Sequence, residues 1–456
     1  MTTSALRRVV PAALFAGVLA PLNSTMIVVA LPTMLADLGA SLAWGSWVVL
    51  SYLVAMAAVQ PLGGSLGDRF GQRRMVALGL IGFLVASLVA ALAANIETLV
   101  AARTVQALTG AIAIPNGTAL VRTLAPARDH GRAFGLLGSG MSLAAALGPP
   151  LGGLITETLG WRWIFAANAP VVVVGLLLVL GLPAHGARRT GRGFDLAGAA
   201  VLLVGLVALA MAATLWRVPQ APTWLTPASA VIALAAALWL PRHVARTPRP
   251  VLQLSLLSEP GFLPAGLAVL FANFVMYTVF LAVPVFLSRL SGWGARDVGL
   301  LLAGMSILMA VTGPIGGTLS DRVGRRAPAT FGSAVMIAGV APLAFASAAW
   351  PWWALLLPLM VLGSGIGLSS APVQTAAMQA APVDLAGQAA GLFSTMRYAG
   401  SITGSAVMAA VLGDAAGVTS FHVLFAVLVG AALLATVAAG RLPGWFPGRP
   451  GTRDAV

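Results

Sequence analysis

No cysteine occurs in this chain, and no lysine either. The first absence removes disulfides, thiol catalysis and cysteine-ligated metal. The second removes the Gly-x-x-x-x-Gly-Lys-Ser/Thr phosphate loop, so nucleotide binding of that kind is excluded. Charge is scarce: 8% of residues are charged, against about 25% in a soluble domain. The 12 acids (Asp37, Asp68, Glu97, Asp129, Glu157, Asp195, Glu259, Asp297, Asp321, Asp384, Asp414 and Asp454) all fall at the ends of apolar segments or between them. His130, His185, His243 and His422 fit no metal-ligand spacing, so no metal is expected. No nucleophile–base pair sits within an apolar segment, which argues against an enzyme. The N-terminus has no short apolar region followed by a small-residue cleavage site, so the first apolar segment reads as a retained helix.

What remains is apolar. Hydrophobic residues make up 59% of 456, and they gather into fourteen segments. These fall near 10–33, 44–62, 75–94, 97–118, 133–155, 164–182, 196–216, 223–240, 261–286, 298–318, 329–348, 352–376, 388–412 and 420–440. Each is long enough, or nearly so, to cross a bilayer. The arginines test this division. With the N-terminus in the cytoplasm, the inner segments carry clusters such as Arg69, Arg73 and Arg74, or Arg322, Arg325 and Arg326, while the outer loops carry only Arg162, Arg217, Arg289 and Arg296. Positive charge orients membrane helices inward, so both termini are expected in the cytoplasm. The net charge of +14 follows from that topology. No aromatic stacking platform lies between the arginines, and nucleic acid is not expected as a partner. The expected surroundings are a lipid bilayer.

One phrase is written twice. Residues 61–74 read Pro-Leu-Gly-Gly-Ser-Leu-Gly-Asp-Arg-Phe-Gly-Gln-Arg-Arg, and residues 314–327 read Pro-Ile-Gly-Gly-Thr-Leu-Ser-Asp-Arg-Val-Gly-Arg-Arg-Ala. Gly64, Asp68, Arg69, Gly71 and Arg73 thereby pair with Gly317, Asp321, Arg322, Gly324 and Arg326, a shift of 253. Gly148 pairs with Gly404 at a shift of 256. Segments 1–6 therefore repeat as segments 9–14 in the same orientation, with segments 7 and 8 inserted as a hairpin. The expected fold is an all-α polytopic membrane protein of two parallel-related six-helix bundles. Its parts are a first bundle over 1–190, an inserted hairpin and linker over 191–250, a second bundle over 251–442, and a disordered cytoplasmic tail over 443–456.

These motifs resemble the major facilitator superfamily, and within it the fourteen-span drug:proton antiporter branch. The resemblance rests on the repeated Gly-x-Leu-x-Asp-Arg-x-Gly-x-Arg-Arg phrase. It also rests on Gly148-Pro149-Pro150-Leu151-Gly152-Gly153, on Leu22-Asn23-Ser24-Thr25-Met26, on Gly160-Trp161-Arg162-Trp163, and on Phe194-Asp195-Leu196-Ala197-Gly198. It implies secondary active efflux of hydrophobic or amphiphilic drugs by proton antiport and alternating access. The setting it implies is a bacterial inner membrane, and the coupling ion a proton, with no bound cofactor. A monomer is the default for this fold.

Residue roles follow in the same terms. Gly64 and Gly71 let helices and a tight turn come close. Asp68 with Arg69 and Arg73, and Asp321 with Arg322, form an expected inner latch, although the arginines could equally serve topology alone. Gly148, Pro149, Gly152 and Gly153 make a pliable interface helix or a fixed kink. Arg103 sits inside the fourth segment in Ala102-Arg103-Thr104-Val105-Gln106-Ala107, which resembles a motif linked to proton coupling. It either faces a polar partner or snorkels to the headgroups. Arg397 either faces the cavity or makes a fixed interhelical bond. The candidate cavity lining is Asn23, Thr25, Gln106, Asn116, Asn273, Tyr277, Gln374 and Arg397.

One departure matters. The family's first-segment signature carries Asp where this chain has Asn23. Glu157, Asp195 and Asp68 remain as proton carriers. A facilitator, or an exporter of a small organic metabolite not coupled to protons, stands as the alternative.

Overall fold

The computed structural model describes residues 2–124, 130–183, 195–215, 222–247, 250, 252–347, 349–382, 385–412 and 417–444. At 2–7, 42–43, 64–65, 68, 122, 130–135, 138–139, 142, 213 and 386–387 it describes the backbone alone. The domain boundary at 190 and the tail after Gly444 lie outside the described residues.

The described chain is helical, with no strand. The first bundle holds α1 (Thr2–Asp37), α2 (Leu42–Phe70), α3 (Gln72–Ala91), α4 (Ile96–Leu124), α5 (His130–Thr158), α6 (Arg162–Ala166) and α7 (Asn168–Leu180). A hairpin of α8 (Leu196–Thr214) and α9 (Leu225–Arg246) follows. The second bundle holds α10 (Phe262–Leu290), α11 (Ala295–Val323), α12 (Arg326–Val340), α13 (Trp352–Ala380), α14 (Ala386–Val411) and α15 (Val418–Gly440). Helices thus stand at all fourteen apolar positions, with α6 and α7 sharing one. Among the described residues, eleven helical stretches are long and apolar enough to cross a membrane. Of the rest, α14 is diluted by glycine, serine, threonine and Arg397.

Local chemistry sets the breaks. Ser41 caps α2 by accepting from the Trp44 amide at 3.4 Å. Asp195 caps α8 by accepting from the Gly198 amide at 2.8 Å. A single residue, Gly71, turns the chain from α2 to α3 with φ of 94°. Its repeat Gly324 closes α11 with φ of 88°. Only glycine adopts that backbone at little steric cost.

The packing repeats as the sequence does. In the first bundle α1 lies on α5, and α4 on both α2 and α3; in the second, α10 lies on α14, and α13 on both α11 and α12. Between bundles α5 meets α11 and α2 meets α14, a pair of contacts that exchange under the internal symmetry. The hairpin rests its α8 against α2 and α14.

The apolar core differs at the two ends of the molecule. Toward the arginine-rich end, where α1 begins and the Gly71 and Gly324 turns lie, the described residues form two cores. One surrounds Val9, Phe83, Leu120 and Val172 in the first bundle, the other Phe262, Ala329, Phe393 and Ala438 in the second. Toward the arginine-poor end a single core runs through both bundles, from Ile27, Leu31 and Leu50 to Phe286, Leu302 and Phe421. Large side chains such as Leu92, Leu177, Val231 and Leu234 are exposed on the outside. An apolar exterior over helical spans belongs in lipid, and this is an integral, multi-pass membrane protein.

Candidate functional site

The most polar point inside the first bundle is Arg103 on α4, only 1% exposed. Burying a guanidinium is costly, so its donors must find acceptors. Its Nε donates to the Val48 carbonyl of α2 at 3.3 Å. Its Nη1 donates to Asn23 Oδ1 of α1 at 3.2 Å and to Gln106 Oε1, one turn along α4, at 2.7 Å. The guanidinium carbon sits 4.2 Å from the ring centre of Tyr52, a cation–π contact. Gln106 passes the chain of bonds on, donating to Ser87 Oγ of α3 at 2.6 Å. Asn168 of α7 donates to the same oxygen at 3.3 Å, and Ser87 donates to the Phe83 carbonyl at 2.7 Å. Five of the bundle's helices are therefore joined at one buried group. Arg103 does not snorkel.

No carboxylate takes part. Among the described residues the only buried acid is Asp195, which caps α8 and meets His243 Nε2 of α9 at 2.7 Å. The second bundle does not repeat the group. The shift of 253 for α1 and α2, and of 256 for α4, puts Met276, Met305, Leu359 and Leu362 where Asn23, Tyr52, Arg103 and Gln106 stand.

The other candidates are distributed. Thr25 bonds back to the Pro21 and Leu22 carbonyls at 2.8 and 3.1 Å and lies beside Gly148, away from open space. Tyr277 of α10 is half-buried and its hydroxyl meets Ser24 of α1, a polar contact between the bundles. Arg397 of α14 is half-buried, 5.5 Å from the Phe393 ring. Asn273 donates to Val269 of its own helix at 2.9 Å. Asn116 donates to Gly63 of α2 at 2.7 Å, and so fastens α4 to α2. Gln374 is exposed, as are Glu157, Asp321, Arg69 and Arg322. Arg73 donates to the Leu180 carbonyl at the end of α7. Asp321 lies 3.9 Å from Arg325, one turn along α11. Gly64 and Asp68 are described in their backbone alone, as part of α2.

The glycines of α5 face two neighbours. A Cβ on Gly152 would sit 2.7 Å from the Met26 backbone of α1. One on Gly153 would sit 2.5 Å from the Ala295 carbonyl of α11. One on Gly299 of α11 would sit 2.5 Å from the Pro149 carbonyl. The two bundles thus touch backbone to backbone near the arginine-poor end. Gly404 repeats the role of Gly148: the one abuts Thr278, the other Thr25, and the two threonines are 253 residues apart.

Ser87, Tyr52 and Val48 were not legible as site residues. A serine in an apolar helix ordinarily bonds its own backbone, as Ser87 also does here. A pocket of about 590 Å³ lies between Trp293, Asp297, Leu301 and Trp352 in the second bundle; none of its lining residues belongs to the Arg103 group.

The family model described as Major Facilitator Superfamily matches residues 13–405. The chain belongs to the major facilitator superfamily. Its relatives include YvkA of Bacillus subtilis strain 168, an uncharacterized MFS-type transporter, 33% identical over 91% of this chain and 92% of that one. Another is the multidrug resistance protein Stp of Mycobacterium tuberculosis, 32% identical over 86% of this chain and 73% of that one. The crystal structure of a D-xylose–proton symporter superposes with a TM-score of 0.71 at 15% identity, covering 96% of this chain and 98% of that chain, a likeness of fold. This major facilitator protein is a transporter and not an enzyme.

Proposed function

We propose that the protein exports hydrophobic or amphiphilic organic compounds from a bacterial cell across the inner membrane, by alternating access and in exchange for protons, as a fourteen-span monomer with both termini in the cytoplasm. The observation that carries this reading is the difference between the two ends. A single core joins the bundles at the arginine-poor end, which the positive-inside rule makes the outer face. Such a face is closed in one state and must part in the next. The contact at Gly153, Ala295 and Gly299 is smooth enough for that motion, because small residues let packed helices separate and meet again without interlocking side chains. Relatives named for multidrug resistance support the choice of cargo.

Arg103 holds the coupling role in this scheme, with Gln106 and Asn23 as its acceptors. Neutral or weakly anionic compounds are favoured over dications, since the described interior offers Arg103 and Arg397 and no acid beyond Asp195. Inverted vesicles with a pH-sensitive dye, given a panel of amphiphilic antibiotics, test it. The expected result is substrate-evoked proton release that is absent in Arg103→Ala. Uptake of substrate without proton movement would instead establish the second reading, export or facilitation independent of protons. Asn23, in the place of a titratable acid, favours that second reading.

A further inference from the structure

The Arg103 group has a surplus that its own residues do not resolve. Its amide and serine oxygens each already accept a bond: Asn23 Oδ1 and Gln106 Oε1 from Arg103, and Ser87 Oγ from Gln106 and Asn168. Its donors are not all in use. Asn23 Nδ2 and the Tyr52 hydroxyl are buried with no hydrogen-bond partner among the described residues. Arg103 bonds through Nε and Nη1, and no bond from Nη2 is seen among those residues. Asn23 is 0%, Arg103 1% and Tyr52 2% exposed. Rotating the Asn23 amide does not help, for it would turn its NH₂ toward the guanidinium and set donor against donor. The group therefore carries one net positive charge, unfilled donors and no carboxylate.

A buried charge without a partner is expensive, and so is each buried donor left unmade. One occupant answers both deficits: a small species with negative charge and acceptor capacity. We propose that a small monovalent anion, a chloride ion or the carboxylate end of an organic acid, is bound at Arg103 between Asn23 and Tyr52. The guanidinium supplies the charge, and the Asn23 amide and the Tyr52 hydroxyl supply flanking donors. In this chain a bound anion stands where an acid at position 23 would have supplied the counter-charge. The site is confined to the first bundle, because Met276, Met305, Leu359 and Leu362 occupy the repeated positions. The inference stands apart from proton coupling, since it concerns equilibrium binding and not flux.

Purified full-length protein in lipid nanodiscs tests it, with the thermal midpoint followed at fixed ionic strength and pH. Sodium HEPES, a bulky sulfonate without a carboxylate, is the background, and sodium chloride or sodium acetate replaces it stepwise. The expected result is a saturable rise of the midpoint with chloride, with acetate, or with both. Chloride alone marks a halide site; acetate as well marks one that takes carboxylates. Asn23→Asp, nearly isosteric, supplies a fixed negative charge and should abolish the rise while leaving the protein folded. Tyr52→Phe should weaken the apparent affinity several-fold. A midpoint indifferent to the choice of anion would overturn the proposal, as would an undiminished response in Asn23→Asp.

Discussion

At the scale of single residues, the interior of the first bundle is organised by one arginine and its amide acceptors. Gln106 joins Arg103 to Ser87 and so links α4 to α3. Replacing it with leucine, the residue the second bundle has at the repeated position, removes a hydrogen bond from a charged group and one of the two that Ser87 accepts. Gln106→Leu should lower stability by about 1.5–3 kcal/mol, read as a lower chemical-denaturation midpoint in detergent. An unchanged midpoint would mean that the Gln106 bond adds nothing to the bundle. Part of this was legible beforehand: Arg103, Gln106 and Asn23 stood out because polar groups in apolar helices demand partners. Tyr52 and Ser87 did not, since a half-apolar ring and a hydroxyl that can bond its own helix look at home in lipid. Asn116 and Thr25 were legible as polar but not as packing residues. Their partners, Gly63 and Gly148, are found only by folding the chain.

At the scale of helices, small residues and caps decide how elements meet. The Gly71 turn, with φ of 94°, leaves no linker between α2 and α3. Gly71→Ala should cost about 1–3 kcal/mol through a positive-φ backbone that side chains rarely adopt, with a lowered thermal midpoint. Gly71→Asn should cost as much, because the ψ of 124° lies outside the left-handed helical region that asparagine tolerates. Gly153 faces the Ala295 carbonyl across the two bundles. Gly153→Leu should hold α5 and α11 apart, cutting vesicle transport at least tenfold while the protein still elutes as a single folded species. In the hairpin, Asp195 both caps α8 and meets His243, whose ring stacks on Trp239 at 4.5 Å. Asp195→Ala should cost about 0.5–2 kcal/mol, confined to α8 and visible as faster hydrogen exchange at its first turn. Glycine spacing announced the close contacts, but not which neighbour each glycine admits. The first and second neighbours of α5, namely α1 and α11, alternate around it at Gly152 and Gly153.

At the scale of the whole molecule, the repeated phrase at 61–74 and 314–327 made the two-bundle plan legible, and the arginines carry the proposed orientation. The exchange of contacts α5–α11 and α2–α14 follows from that symmetry. The unequal ends do not, because the repeat treats both bundles alike and says nothing of where along their length they meet. Nor did the sequence reveal that polar chemistry is concentrated in one bundle, since the repeat was read from glycines and not from interior side chains. The central claim is that the shared core at the arginine-poor end, from Leu31 to Phe286 and Phe421, is a closed face that opens during transport. The absence of native cysteine lets two spin labels be placed without interference. Leu159 beyond α5 and Trp352 at the start of α13 are exposed positions on the two bundles. The most direct measurement is the distance distribution between labels at Leu159→Cys and Trp352→Cys in nanodiscs, at several pH values and with or without a transported compound. The account predicts two populations, the shorter matching this closed face, whose ratio changes with pH and substrate. A single distance, unmoved by either, would contradict it.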